Sequence, residues 1–173
     1  MDGGYLMKPM MIVTADFTKQ FNEVIQRFKR DDVLVGIPAE TTDRKKDEDE
    51  GPINNATLLA INNFGSPLQN IPARPVMEIG IRKAQPEIVK AFKDGAVKAL
   101  STGTKALDQT YTRVGIIASQ SVKKVINSQE GIEGPSEATL NIRGSQGFKG
   151  TKALIVTGQM RNAITYVTRR RRR

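Results

Sequence analysis

The chain has 173 residues, a length that suits one domain, and with 38% hydrophobic and 5% aromatic residues its core must be modest and mostly aliphatic. It contains neither cysteine nor histidine, which removes disulfides, thiolate nucleophiles, an ordinary zinc site and any Ser-His-Asp triad. The net charge is +9, and the last five residues, Arg169 to Arg173, carry five of those charges. Such an end suits a polyanion or an acidic protein surface, or stands as a solvated terminus.

No run approaches the roughly 18 apolar residues of a membrane span. Met1–Tyr5 lack the basic-then-apolar pattern of a signal peptide. Residues 1–10 contain glycines and no periodicity and read as a flexible arm, followed by a short strand at Met11-Ile12-Val13. Thr14 or Asp16 then caps an amphipathic helix over roughly 16–30. Its Phe17, Phe21, Val24, Ile25 and Phe28 recur at three and four residues, so the phenylalanines read as core. The β-branched run from Val33 to Pro38 reads as a strand, ended by its proline. Residues 39–53 are mixed-charge and have no apolar face, which predicts an exposed loop. Its four acids, Asp47 to Glu50, lack the spacing of a calcium loop. They suit a solvated loop or a contact with a basic neighbour, such as the arginine tail of another copy.

The central stretch, Ala56–Ile81, organises the rest. Leu58, Leu59 and Ile61 have helical spacing, with Asn55 placed to cap the helix start. Asn62-Asn63-Phe64-Gly65 stops the helix, and Gly65 suits the left-handed conformation of a helix end. Pro67, Pro72 and Pro75 stiffen the next segment into an extended lead-in from which Arg74 projects. Val76, Ile79 and Ile81 then suggest a strand, with Gly80 as a bulge. Gln85-Pro86-Glu87 opens a helix, since proline fits a first turn and glutamate favours its positive end. Ile88, Phe92, Ala96 and Leu100 mark one face, and Leu107 to Ile126 a second. Residues 86–128 are one helix kinked near Gly103 or a pair, because a single glycine, at about 1 kcal/mol, does not force a break.

Residues 129–151 are rich in Gly, Ser and Pro and read as a long loop with a brief strand at Ala138–Ile142. The glycines of Gly144–Lys152 do not make a phosphate loop, because Gly150 is followed by Thr151 where lysine is required. Thr157 is placed to cap a short helical turn, and Ile164–Thr168 alternates as a strand. Pairing that strand with Val33–Ile37 would close both halves of the chain over one core. The expected fold is α+β: a small, mainly antiparallel sheet from strands near 33–38, 76–81 and 164–168, packed against long helices, with extended loops.

Two motifs carry a resemblance. One is the helix followed by Phe64-Gly65 and Ile71-Pro72-Ala73-Arg74-Pro75; the other is Ala153-Leu154-Ile155-Val156-Thr157-Gly158-Gln159-Met160-Arg161-Asn162-Ala163-Ile164. Together they cover about a fifth of the chain and resemble the tail-completion and head–tail joining (neck) proteins of long-tailed bacteriophages. Val76 and Met77 stand where that family usually has Phe and Leu, and Ala163 where it has Ser; all remain small or apolar.

The resemblance implies a single structural domain over residues 1–173. Its copies would form a homo-oligomeric ring, a hexamer or alternatively a dodecamer, joining the head connector to the tail terminator, with DNA in the lumen. Its place would be the virion neck, after synthesis in the host cytoplasm. A collar or tail-terminator subunit, or a free-standing nucleic-acid-binding protein, are the alternatives. Neither catalysis nor a cofactor or metal is expected. The candidate subunit contacts are Phe64, Gly65, Pro72, Arg74, Pro75, Thr157, Gly158, Arg161 and Asn162. For Arg74 and Arg161 a bracing role within the fold competes with a contact to a neighbour, and Asn162 also suits its own turn. Arg169, Arg170, Arg171, Arg172 and Arg173 are candidates to meet DNA or an acidic partner.

Overall fold

The computed structural model describes residues 18–38 and 53–171. The expected N-terminal arm, the strand at Met11–Val13, the cap at Thr14 or Asp16, Phe17, the acidic loop through Glu50, and Arg172 and Arg173 lie outside them. In chain order the elements are α1 (Thr18–Arg30), β1 (Asp31–Gly36), α2 (Asn55–Phe64), a 3-10 turn (Pro67–Gln69), α3 (Val76–Thr102), α4 (Ala106–Ser128), α5 (Glu137–Ser145), α6 (Gln159–Ala163) and β2 (Thr165–Arg170). The fold is α+β: mainly helical, with a two-stranded antiparallel sheet against α4.

The antiparallel pair α3 and α4 forms the frame. Its α3 face is made of small residues, with Gly80, Ala84, Ala91, Gly95 and Ala99 all buried. A Cβ at Gly80 would lie 2.6 Å from the Cα of Val122, and one at Gly95 would lie 2.1 Å from Oγ1 of Thr110. Backbone therefore meets backbone where longer side chains would hold the helices apart. The α4 face supplies volume instead, through Leu107, Tyr111, Val114, Val122, Val125 and Ile126.

The core lies in two clusters along this pair. One gathers Leu59, Val76, Val122, Val125, Ile126, Met160 and Ile164. The other gathers Val24, Ala99, Ala106, Leu107 and Tyr111, where α1 docks. There Phe28, Phe92 and Tyr111 meet edge-to-face, with centroids 5.7, 6.3 and 6.0 Å apart, the arrangement that aromatic quadrupoles favour. Phe21, expected in the core, is 55% exposed instead.

The predicted closure of the two chain halves is present. β1 pairs with β2 from Asp31 opposite Arg170 to Gly36 opposite Thr165. Tyr166 lies over α4 where Gly115 leaves room, since a Cβ there would be 2.1 Å from its ring.

Other expectations are corrected. Residues 76–81 are the first turns of α3, not a strand. Val76, Gly80 and Ala84 are buried at intervals of four, so the small residues complete a helical face that the β-branched ones obscured. Pro86 lies inside α3 and does not begin it; its position is exposed, so the missing N–H is not buried. Residues 86–128 belong to two helices, separated at Gly103, whose φ of 89° closes the first. Ala138–Ile142 lies in helix α5, capped by Ser136. Asn54, not Asn55, caps α2: its Oδ1 accepts from the Thr57 N–H at 2.8 Å. The described arginines of the predicted tail do not trail from the fold, because Arg169 and Arg170 are ladder residues of β2.

A methyl group at Gly80 would favour helix formation by about 1 kcal/mol. Against the Val122 backbone it must force the helices apart, so Gly80→Ala should lower stability by about 1–3 kcal/mol net. Urea unfolding checks this; an unchanged or higher midpoint would show that the helices do not cross so closely.

A braced loop as candidate interaction site

The link between α2 and α3 is closed by hydrogen bonds from three directions. Ser66 and Ile71 exchange backbone bonds of 2.9 and 3.0 Å, and Gln69 N–H donates to Ser66 O at 3.0 Å. Asn70 takes the left-handed conformation at φ 52°, and its N–H reaches Pro67 O. The Arg74 N–H donates to Asn62 O at 2.8 Å. Gly65 has φ 76°, and a Cβ there would lie 2.8 Å from the Ala73 nitrogen. Only glycine fits this crossing without displacing the backbone.

Asn63 locks the far end. It is buried; its Oδ1 accepts from the Met77 N–H at 3.1 Å, and its Nδ2 donates to Glu78 Oε1 at 3.1 Å. It thereby satisfies an orphan donor of the first turn of α3, a capping task that Pro75 has no side-chain group to perform. The entire link from Gly65 to Pro75 is thus tied at both ends.

Arg74 points inward, not outward as its lead-in predicts. It is 8% exposed. Its Nε donates to Glu133 O at 2.7 Å and its Nη2 to Gly134 O at 3.0 Å. It braces its own fold, and it does so through backbone carbonyls. Pro72 and Pro75 are half-buried beside it. Two large apolar side chains are exposed here, Phe64 at the end of α2 at 74% and Leu68 at 96%, the second beside the exposed Gln69 and Asn70. Leu68 sits in the 3-10 turn between Pro67 and Gln69, and nothing in its own sequence spacing sets it apart from a core leucine.

The second motif lies next to the first. Helices α2 and α6 are in contact, and Leu58 and Asn62 share a small depression with Thr157, Gly158 and Met160. Gly158 starts α6 in the left-handed conformation. The expected cap is marginal, since the Gln159 N–H lies 3.5 Å from Thr157 Oγ1. Arg161 donates to Asn127 Oδ1 at 2.7 Å and to Asn162 Oδ1 at 3.0 Å, so Arg161 and Asn162 pair with each other at the surface.

The approach to this motif is held by Gln129 and Arg143, which carry no sequence signal of that role. Gln129 accepts from the Ala153 N–H at 2.7 Å and donates to Ala153 O at 3.1 Å. Arg143 donates to Gly150 O at 3.2 Å and Lys152 O at 2.9 Å. Burial, then the nearby Arg74 charge, push the Arg143 pKa down.

The remaining candidates, the arginines, meet a pair of aspartates. Asp31 accepts from Arg30 Nε at 2.8 Å and pairs with Arg27 at 2.7 Å; Arg27 also bonds Asp108. The Arg30 hydrogen bond holds the Asp31 carboxyl below its ordinary range, helped by the Arg27 charge against the opposing effect of burial. Arg171 grips Asp32 with two bonds of 3.0 and 2.6 Å. Among the described residues no group of three or more carboxylates could hold a metal ion, and no helix is long and apolar enough to cross a membrane.

No protein-family model, curated protein or solved structure matches this chain.

Arg74→Met should cost about 1–3 kcal/mol, because it removes the charge-assisted bonds that the buried guanidinium donates to Glu133 O and Gly134 O. Arg74→Lys should recover only part, since one ammonium lacks the planar fork that spans both. Chemical denaturation reads both. Asp31 has a folded pKa depressed below about 3.9, so its contribution is complete above that value and is lost as pH falls through the depressed one. The difference in melting temperature between the native chain and Asp31→Asn should therefore be constant near neutrality and shrink under acid conditions below about pH 4.

Proposed function

We propose that this protein is a structural component of a tailed-phage neck, a tail-completion or head–tail joining subunit that assembles as a ring between connector and terminator. The observation that carries the reading is the braced loop: a segment fixed by Gly65, Asn63 and Arg74 that holds Leu68 and Phe64 in solvent. An isolated exposed apolar residue needs no explanation. Two large ones, at the end of α2 and on the hydrogen-bonded loop that follows it, are different, because the ordering cost of a contact has already been met before a partner arrives.

The two motifs of the resemblance also support it. They are separated by long stretches of the chain, yet Leu59 from the helix of the first shares a core cluster with Met160 and Ile164 from the second. Matching motifs that converge on one rigid unit fit a common architectural role better than two chance likenesses. In this role Arg74 and Gly65 hold the contact loop, and Phe64 and Leu68 make the contact itself.

The double variant Phe64→Ser, Leu68→Asp should fold normally, with a melting temperature within a few degrees of the native chain, since neither side chain is packed. Phage carrying only this variant should yield filled heads lying apart from tails in electron micrographs. Joined, infectious particles from the double variant would reject the proposed role of the loop, and joined particles in the absence of the protein would reject the neck assignment itself.

A further inference from the structure

A broad groove of about 1200 Å³ runs between α1 and the end of β2. Six cations line it: Lys19, Arg27, Lys29 and Arg30 from the helix, Arg170 and Arg171 from the strand end. The other lining side chains are threonines, Asn22, Gln26 and one acid, Glu23. Among the described residues no apolar or aromatic side chain lines it.

The six divide into two sets. Arg27, Arg30 and Arg171 are fixed by Asp31, Asp32 and Asp108. Lys19, Lys29 and Arg170 make no ion pair among the described residues, and all three are exposed. The paired set is held in place, and the second set adds charge that is not tied up in an ion pair among the described residues. Register puts the arginine run there: the Asp31–Arg170 and Asp32–Arg169 pairs bring the end of β2 to the C-terminal end of α1, where the Arg171 N–H donates to Arg30 O.

We infer that this groove binds the phosphate backbone of double-stranded nucleic acid without reading its sequence. A docked protein would want a centre of apolar side chains depleted of charge, and the described lining offers none. A single strand would want aromatic platforms for its bases, and none line the groove among the described residues. Lysine and arginine with asparagine, glutamine and threonine are the side chains that contact phosphate and sugar. The inference stands independently of the neck assembly, because a free-standing protein could use the same surface.

The test is fluorescence anisotropy of the purified full chain with a random-sequence DNA duplex, across a salt series. The affinity should fall steeply with salt. Lys19→Gln, Lys29→Gln, Arg170→Gln should weaken binding at least tenfold at roughly 100 mM salt and reduce the log–log salt slope by about 3, near 0.9 per lost phosphate contact. Lys90→Gln, Lys93→Gln, Lys149→Gln removes as many exposed charges elsewhere and should change affinity less than about threefold. Should Arg170→Gln disturb the sheet, Lys19→Gln with Lys29→Gln alone should still lower the slope by about 2. Equal losses in the groove and control variants, no duplex binding by the native chain, a single strand bound as tightly as the duplex, or poly-glutamate competing as well as duplex at equal charge would each overturn the inference.

Discussion

The close crossing of α3 and α4 is the constraint on which the rest depends. Because Gly80 and Gly95 bring backbone against Val122 and Thr110, the helices are fixed in both separation and register. Everything else is attached to one end or the other. At the Gly80 end, α2 and α6 share the cluster around Val122 and Ile126, and the braced loop links α2 to the start of α3 there. At the Gly95 end, α1 and the aromatic trio share the cluster around Leu107 and Tyr111. A chain with so few aromatics obtains a rigid frame by close approach, where dispersion is gained over a long contact line, and places its larger side chains on one face of α4.

The sheet adds a second kind of constraint. Two strands alone are marginal in water, and this pair survives by lying on α4, where Gly115 accepts the Tyr166 ring. Its register is specified by more than burial. Slipping it by one residue would move Tyr166 away from that recess and break the opposition of Asp31 and Asp32 to Arg170 and Arg169. The acids beside α1 thus organise the terminal arginines, which turns a run of like charge from a self-repelling tail into a strand with a defined course.

The parts of the fold legible in the sequence rest on strong periodicity or strong breakers. The α1 face, the β1–β2 pairing, the glycine stop at Gly65 and the α+β class all come from such signals. Residues 76–81 mislead because Val76, Ile79 and Ile81 are β-branched, whereas the buried face continues through Gly80 and Ala84, residues too small to register as apolar. Pro86 compounds the ambiguity, because proline favours a first turn over a helix interior, yet α3 carries it in its interior at an exposed position. Helix α5 is hidden by flanking glycines, although Ser136 caps it in the ordinary way. For the site, Arg74 is visible in the sequence and its direction is not. The carbonyls it satisfies are about 60 residues away, and no local pattern encodes a partner at that range. Asn63, Gln129 and Leu68 carry no mark for the same reason: a cap across a loop, a clamp between segments and an exposed apolar tip are tertiary facts.

The inward turn of Arg74 and the outward turn of Leu68 are one arrangement seen from two sides. A loop of this length with a charged tip and an apolar interior would be the usual solution to solvation. Here the Arg74 charge is consumed beneath the loop, on the carbonyls of Glu133 and Gly134, and Phe64 and Leu68 are left outside. Gly65 and Asn63 then remove the freedom by which Leu68 would fold back onto the surface. Polar satisfaction inside and apolar exposure outside raise the energy of the isolated chain's surface while lowering the entropy lost on contact. That balance is what the contact role proposed for the loop requires.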